Sequence, residues 1–193
     1  QEELSVRRGY HWSPDSRRIA YLEMDETLVP TYPIVDQISR HATVDFQRYP
    51  KPGDPNPRVR VGIVDVATTR SVWIDRIAEY MPRIDWRDAE TLAVQLLNRG
   101  QDELELIYVD ARTGRSRSAL METDPYWVNV TDDLLFLAAS DRFLWTSERT
   151  GFRHIYLYRG DGELERTLTT GEWQVSSTEG LDEASGVVYF TAN

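Results

Sequence analysis

One phrase returns four times along this chain, an apolar residue, a short polar turn and then an apolar strand: "HWSPDSRRIAYLEMD", "IDWRDAETLAVQLLN", "LFLAASDRFLWTSER" and "GLDEASGVVYFTAN". The step is about 50 residues from Trp86 to Phe136 and about 45 from Phe136 to Leu181. The second and third phrases run on into "LELIYVDARTGRSRSAL" and "HIYLYRGDGELERTLTTG", in which a strand enters a glycine-bearing turn and a more polar strand leaves it. Radial modules of this length, four strands apiece, are the sequence mark of a β-propeller. A single blade cannot cover both faces of its sheet, so its neighbours must. The expected fold is therefore all-β: a partial β-propeller of about four blades of four-stranded antiparallel sheet. Residues 79–121 and 125–170 should each build one blade.

The remaining local signals agree. Short runs rich in Val, Ile, Leu, Tyr and Trp alternate with clusters of Asp, Gly, Ser, Thr and Arg, and no stretch keeps a helical apolar period over three turns. The rhythm breaks between residues 27 and 60, which hold six of the nine prolines. Proline removes a ladder donor, so this stretch is expected to be a long connection or extended excursion between the first two and last two strands of a blade, with less regular strand from Pro30 to Pro57 than the blades carry.

Composition narrows the function. A net charge of -10 disfavours nucleic-acid and anionic-membrane partners and suits cationic guests. With no cysteine there is no disulfide framework, thiolate metal site or cysteine nucleophile. No apolar run approaches the roughly 20 residues of a membrane helix. The chain starts in mid-phrase and ends on "VVYFTAN", and reads as a fragment of a longer protein.

Few residues suggest chemistry. His11, His41 and His154 are too far apart to share a metal by spacing and are expected to be structural. No Gly-x-Ser-x-Gly elbow, phosphate loop or zinc-protease motif occurs, so neither a catalytic residue nor a cofactor or metal site is assigned to this chain. Asp15, Asp88, Asp141 and Asp182 occupy similar turn positions, where a short acid can accept nearby backbone N–H groups. Trp12, Trp73, Trp86, Trp145 and Trp173 recur in strands and are expected to pack between blades. Tyr126 and Trp127 follow Pro125 at the start of a blade and are candidates for lining a cavity. "NVT" at Asn129 fits a glycosylation triplet but is assigned no function. The adjacent acids Glu2 and Glu3 are weak evidence by pattern alone.

Taken together, "QEELSVRRGYHWSPDSRRIAYLEMDETLVPTYPIVD", "RYPKPGDPNPRVRVGIVDV", "IDWRDAETLAVQ", "LLFLAASDRFLWTSERTGFRHIYLY" and "LTTGEWQV" resemble, in order, the N-terminal β-propeller of bacterial dipeptidyl peptidase IV enzymes of the prolyl oligopeptidase family. The resemblance implies that residues 1–193 are a fragment of that propeller, with the C-terminal α/β-hydrolase domain and its Ser, Asp and His triad outside this chain. It implies a serine exopeptidase that releases Xaa-Pro or Xaa-Ala dipeptides, with the fragment alone inert. Glu2 and Glu3 match the family's double-glutamate motif, which precedes the "WxPD" strand and binds the substrate's free amino terminus. Implied partners are peptides with a free N-terminus and the parent's own hydrolase domain, with homodimerisation left open; no nucleic acid or cofactor is implied. The implied setting is periplasmic or otherwise exported. The rival reading is a stand-alone propeller that serves as a protein-interaction module. A glycosidase built on paired carboxylates fails on spacing, because its two acids must flank a sugar bond rather than be chain neighbours.

Overall fold

Each recurring phrase closes into antiparallel strands, and the strands gather into sheets in the order they are made. The computed structural model describes residues 4–193. In chain order the strands are β1 (Tyr10–Trp12), β2 (Arg18–Asp25), β3 (Thr31–Asp36), β4 (Thr43–Arg48), β5 (Arg58–Asp65), β6 (Ser71–Trp73), β7 (Tyr80–Trp86) and β8 (Thr91–Leu97). They continue as β9 (Glu103–Asp110), β10 (Ser116–Thr123), β11 (Leu135–Phe136), β12 (Arg142–Ser147), β13 (His154–Arg159), β14 (Leu164–Thr167), β15 (Val175–Asp182) and β16 (Val187–Ala192). Three four-stranded sheets result, ordered β1-β2-β5-β6, β7-β8-β9-β10 and β11-β12-β13-β14, with β15 and β16 forming a two-stranded fourth. The partial propeller is present, with three complete blades where about four were expected.

The side-chain period of two explains the stacking. On β8, Leu92, Val94 and Leu96 face the first blade, joining Ala20, Val61 and Ile63 in one core. Ala93 and Leu97 join the core shared with the third blade, where Phe143, Trp145, Tyr156 and Tyr158 meet Leu104, Leu106 and Tyr108. Phe143 and Tyr158 stack with centroids 5.2 Å apart. Leu144 and Ile155 point the other way and pack with Val175, Leu181 and Val188 of the fourth sheet. The second blade is thus dry on both faces. Each fully buried side chain of this size contributes roughly 1.5–3 kcal/mol.

The excursion leaves the first blade between β2 and β5, as the proline pattern predicts, and carries less strand than the blades, with one hairpin inside it. β3 and β4 pair without interruption from Thr31↔Arg48 to Asp36↔Thr43. Pro33 sits inside β3, which is allowed because both strands of an isolated hairpin are edges. Every residue of both strands is exposed. The root of the excursion is tied to the second blade: Arg99 bonds the Asp54 carbonyl and Glu79, and Asn56 Nδ2 donates to Glu79 and to the Tyr80 hydroxyl.

Most turn acids behave as expected. Asp15 accepts from Ser13 Oγ and Arg17 N, Asp88 from Glu90 N, and Asp182 from Ala184 N and Ser185 N. Asp141 departs from the pattern. It lies directly before β12 rather than at the head of its turn, and its carboxylate pairs with Arg87 of the preceding blade. The amides of Ala138 and Ala139 are capped instead by Glu183 from the fourth sheet. Trp12 also departs from the expected core packing and stands 50% exposed. His154 is structural, buried with Nδ1 3.1 Å from Thr169 Oγ1 and Nε2 3.1 Å from the Gly171 carbonyl.

Candidate functional site

The site grows from three blade edges. β1, β7 and β11 each end their sheets, and β1 meets β7 through the Trp86 indole, which donates to the His11 carbonyl at 3.0 Å. Between β1, β7 and residues 130–134, which lead into β11, lies a cleft of about 560 Å³. One wall is the N-terminal segment, Ser5 to Arg8, and its continuation at His11. The facing wall is Pro82 to Asp85 on β7, and the rim carries Thr131 and Asp132. Gln95 closes the back, almost fully buried, with no partner for its Oε1 among the described residues.

Local chemistry shapes that wall. Pro82 lacks an N–H and is tolerated because β7 is an edge strand. The register of β7 against β8 slips between Tyr80 and Arg83, a bulge that re-aims the side chains beyond it. Arg83 uses the new direction fully. Its Nη1 donates to the Leu4 carbonyl at 2.7 Å and to the Pro82 carbonyl at 2.8 Å, and its Nε donates to the Asp132 carboxylate. The Arg83 side chain is 16% exposed and that of Asp132 80%, so the ion pair sits at the mouth of the cleft with the cation inside. Leu4 is held a second way, packed with Tyr80, Val128 and Val130 against the core shared by the second and third blades.

Asp85 stands two residues further along β7. Burial pushes its carboxyl above the usual range and the nearby Asp132 adds to the rise, while His11 and Arg83 pull against both. The cleft therefore mixes cationic and anionic groups in a half-dry setting, where hydrogen bonds to a charged guest gain strength. Among the described residues no group of acids and histidines is arranged to hold a metal ion.

Glu2 and Glu3 lie outside the described residues; the N-terminal wall begins at Ser5, one residue beyond their chain neighbour Leu4. Trp127 lines a separate crevice of only about 30 Å³ between the second and third blades, and Tyr126 is 78% exposed beside it. Both backbone amides donate to Asp124 Oδ1. That crevice is filled by a polar network: Ser147 Oγ donates to Glu122, Arg149 Nε donates to Ser147 Oγ at 2.9 Å, and the Arg149 guanidinium pairs with Glu122 and donates to the Tyr158 hydroxyl. Such a satisfied network between blades fixes their spacing rather than leaving room for a guest. Arg83, Asp85, Gln95 and Asp132 were invisible to sequence reasoning, since they share no motif; only the break in apolar alternation at "MPRID" hinted at the bulge.

Four-stranded antiparallel sheets stacked face to face, with a mixed-charge cleft along their edge strands, define part of a β-propeller. The chain belongs to the dipeptidyl peptidase IV (DPP IV) N-terminal region family, whose model matches residues 1–193. It is 28% identical to dipeptidyl peptidase 4 of Trichophyton rubrum, over 100% of this chain and 27% of that protein. Dipeptidyl peptidase 4 of Arthroderma otae gives 28% identity over 100% of this chain and 27% of that protein. The crystal structure of Porphyromonas gingivalis dipeptidyl peptidase 4 superposes with a TM-score of 0.90 at 31% identity, over 99% of this chain and 28% of that one. The chain thus spans little more than a quarter of the length of these relatives, which come from fungi as well as bacteria.

Proposed function

We propose that this chain is the part of a dipeptidyl peptidase IV-like serine exopeptidase that recognises the substrate's amino terminus and bounds the path to the active site. The observation that carries the reading is the anchoring of Leu4, the neighbour of Glu3, to Arg83 at the mouth of the cleft. Two carboxylates accept most of the hydrogen bonds that an ammonium group offers and balance its charge. With the amine fixed, only the bond after the second residue of a peptide reaches a nucleophile, which the parent's hydrolase domain supplies. The products are then Xaa-Pro or Xaa-Ala dipeptides. A periplasmic or otherwise exported setting belongs to the same proposal.

A homodimer of the parent is the finer partner reading, and the β3–β4 hairpin supports it. Ile34, Val35, Val44 and Phe46 are each more than two-fifths exposed on a hairpin whose two edges are unpaired. Charged substitutions at Ile34 and Phe46 should turn a dimeric parent monomeric in sedimentation; an unchanged dimer would place the interface elsewhere. The peptidase reading is tested on the parent with free-amine and N-acetylated Ala-Pro chromogenic substrates. Rapid turnover of the first and poor turnover of the second supports the clamp, and equal turnover of both opposes it.

A further inference from the structure

The segment that follows Glu3 needs an anchor, because a terminal stretch beside an open cleft pays ordering entropy for every fixed torsion. Arg83 supplies one from the opposite wall. Its guanidinium spans two acceptors at once, with Nη1 on the Leu4 carbonyl at 2.7 Å and Nε on the Asp132 carboxylate. A planar fork of this kind sets direction as well as distance, which a lysine ammonium does not. The Leu4 Cα is a single peptide unit, about 3.8 Å, from the Cα of Glu3. The same arginine raises an electrostatic problem, since a bare cation there would oppose a cationic guest. Asp132, itself open to solvent, neutralises it.

We propose that Arg83 is the positioning residue of the amine clamp: it fixes the backbone at Leu4, the residue that follows the two glutamates in the chain, and Asp132 cancels its charge. This role rests on the amine-binding reading above. It predicts an effect on binding of the amine rather than on chemistry.

The test uses the full-length parent with Ala-Pro p-nitroanilide at two ionic strengths. Arg83→Met should raise KM about ten-fold or more and leave kcat within about two-fold, because the charged hydrogen bond that fixes Leu4 beside the amine-binding residues is lost while the reacting groups are untouched. Arg83→Lys, which keeps charge and one donor, should fall between. Asp132→Asn should raise KM about three-fold at low salt and lose the effect near about 0.5 M salt, because the solvent-open mouth of the cleft, where Asp132 stands, is screened by salt. The N-acetylated substrate should respond to none of these changes. A purely structural arginine would lower the melting midpoint without this split or this salt dependence. A KM within two-fold of wild type for Arg83→Met overturns the role, and if that variant does not fold, a salt-independent KM for Asp132→Asn overturns it. Glu3→Gln separates the two levels. If it raises KM while Arg83→Met does not, only the positioning role falls; if it leaves KM unchanged, the clamp falls and the role with it.

Discussion

Asp85 keeps its carboxylate in a place that water reaches poorly, and its pKa is raised chiefly by burial, with Asp132 adding to the rise and His11 and Arg83 opposing it. The sign follows directly. A folded-state pKa above the unfolded value of about 3.9 means that the native state binds the extra proton, so stability falls as pH rises through the raised pKa. Asp85→Asn removes that loss. The variant should melt at a higher temperature than wild type at pH 7, with the gap closing near about pH 4. A lower midpoint at pH 7 would mean that the attraction of His11 and Arg83 for the carboxylate outweighs burial. At this scale the sequence was informative where partners are near in the chain. Asp15, Asp88 and Asp182 cap amides two or three residues away, and their turn role was legible. Arg83 was not, because its acceptors lie 79 and 49 residues off and are brought to it only by blade stacking.

Strands and turns show the repeat more sharply than the residues first suggested for it. The turns "DVATTR" and "DARTGR" are superimposable in their bonding: Asp65 accepts from the N–H and hydroxyl of Thr68, and Asp110 from those of Thr113. Both aspartates are held below the usual carboxylate range, chiefly by those threonine hydroxyls. At the left-handed position the first turn uses Thr69 and the second Gly114. The reason is contact with the neighbour. A Cβ at Gly114 would run into the Trp73 carbonyl of the first blade, and one at Gly162 into the Ala119 carbonyl of the second. Gly114→Ala and Gly162→Ala should each destabilise by roughly 2 to 4 kcal/mol, combining a strained positive φ with a backbone clash. Thermal melts showing less than about 0.5 kcal/mol would mean that the blades slide apart at no cost. Strands such as β8, β12 and β13 were legible from their apolar runs. β15 was not, since "VSSTEGLD" carries serine, threonine and glycine and pairs with β16 through two register slips. The β3–β4 hairpin was hidden by its prolines, which read correctly as absence from a central sheet but did not reveal that two strands pair within the excursion.

At the scale of the whole molecule, the repeat period fixed the blade count to within half a blade, because each sheet must find a neighbour on either face. The cleft was harder to foresee. It is made where three edge strands approach, and no single stretch of sequence contains it. The resemblance supplied Glu2 and Glu3, while the stacking supplied the Arg83 anchor on Leu4 and the cleft lined by Asp132 and the buried Gln95. Recognition of the substrate's amino terminus therefore depends on whether those two acids bind its ammonium group. The most direct measurement is kcat/KM of the full-length parent on a free-amine Ala-Pro substrate, for wild type, Glu2→Ala and Glu3→Ala. Removing one partner of a shielded charge pair typically costs roughly 2 to 5 kcal/mol, so each substitution should lower kcat/KM about thirty-fold or more. Activity on the N-acetylated substrate should stay low and nearly unchanged. A loss of less than about three-fold for both variants on the free-amine substrate would contradict the account, because solvated surface acids cost no more than about 0.5 kcal/mol to remove.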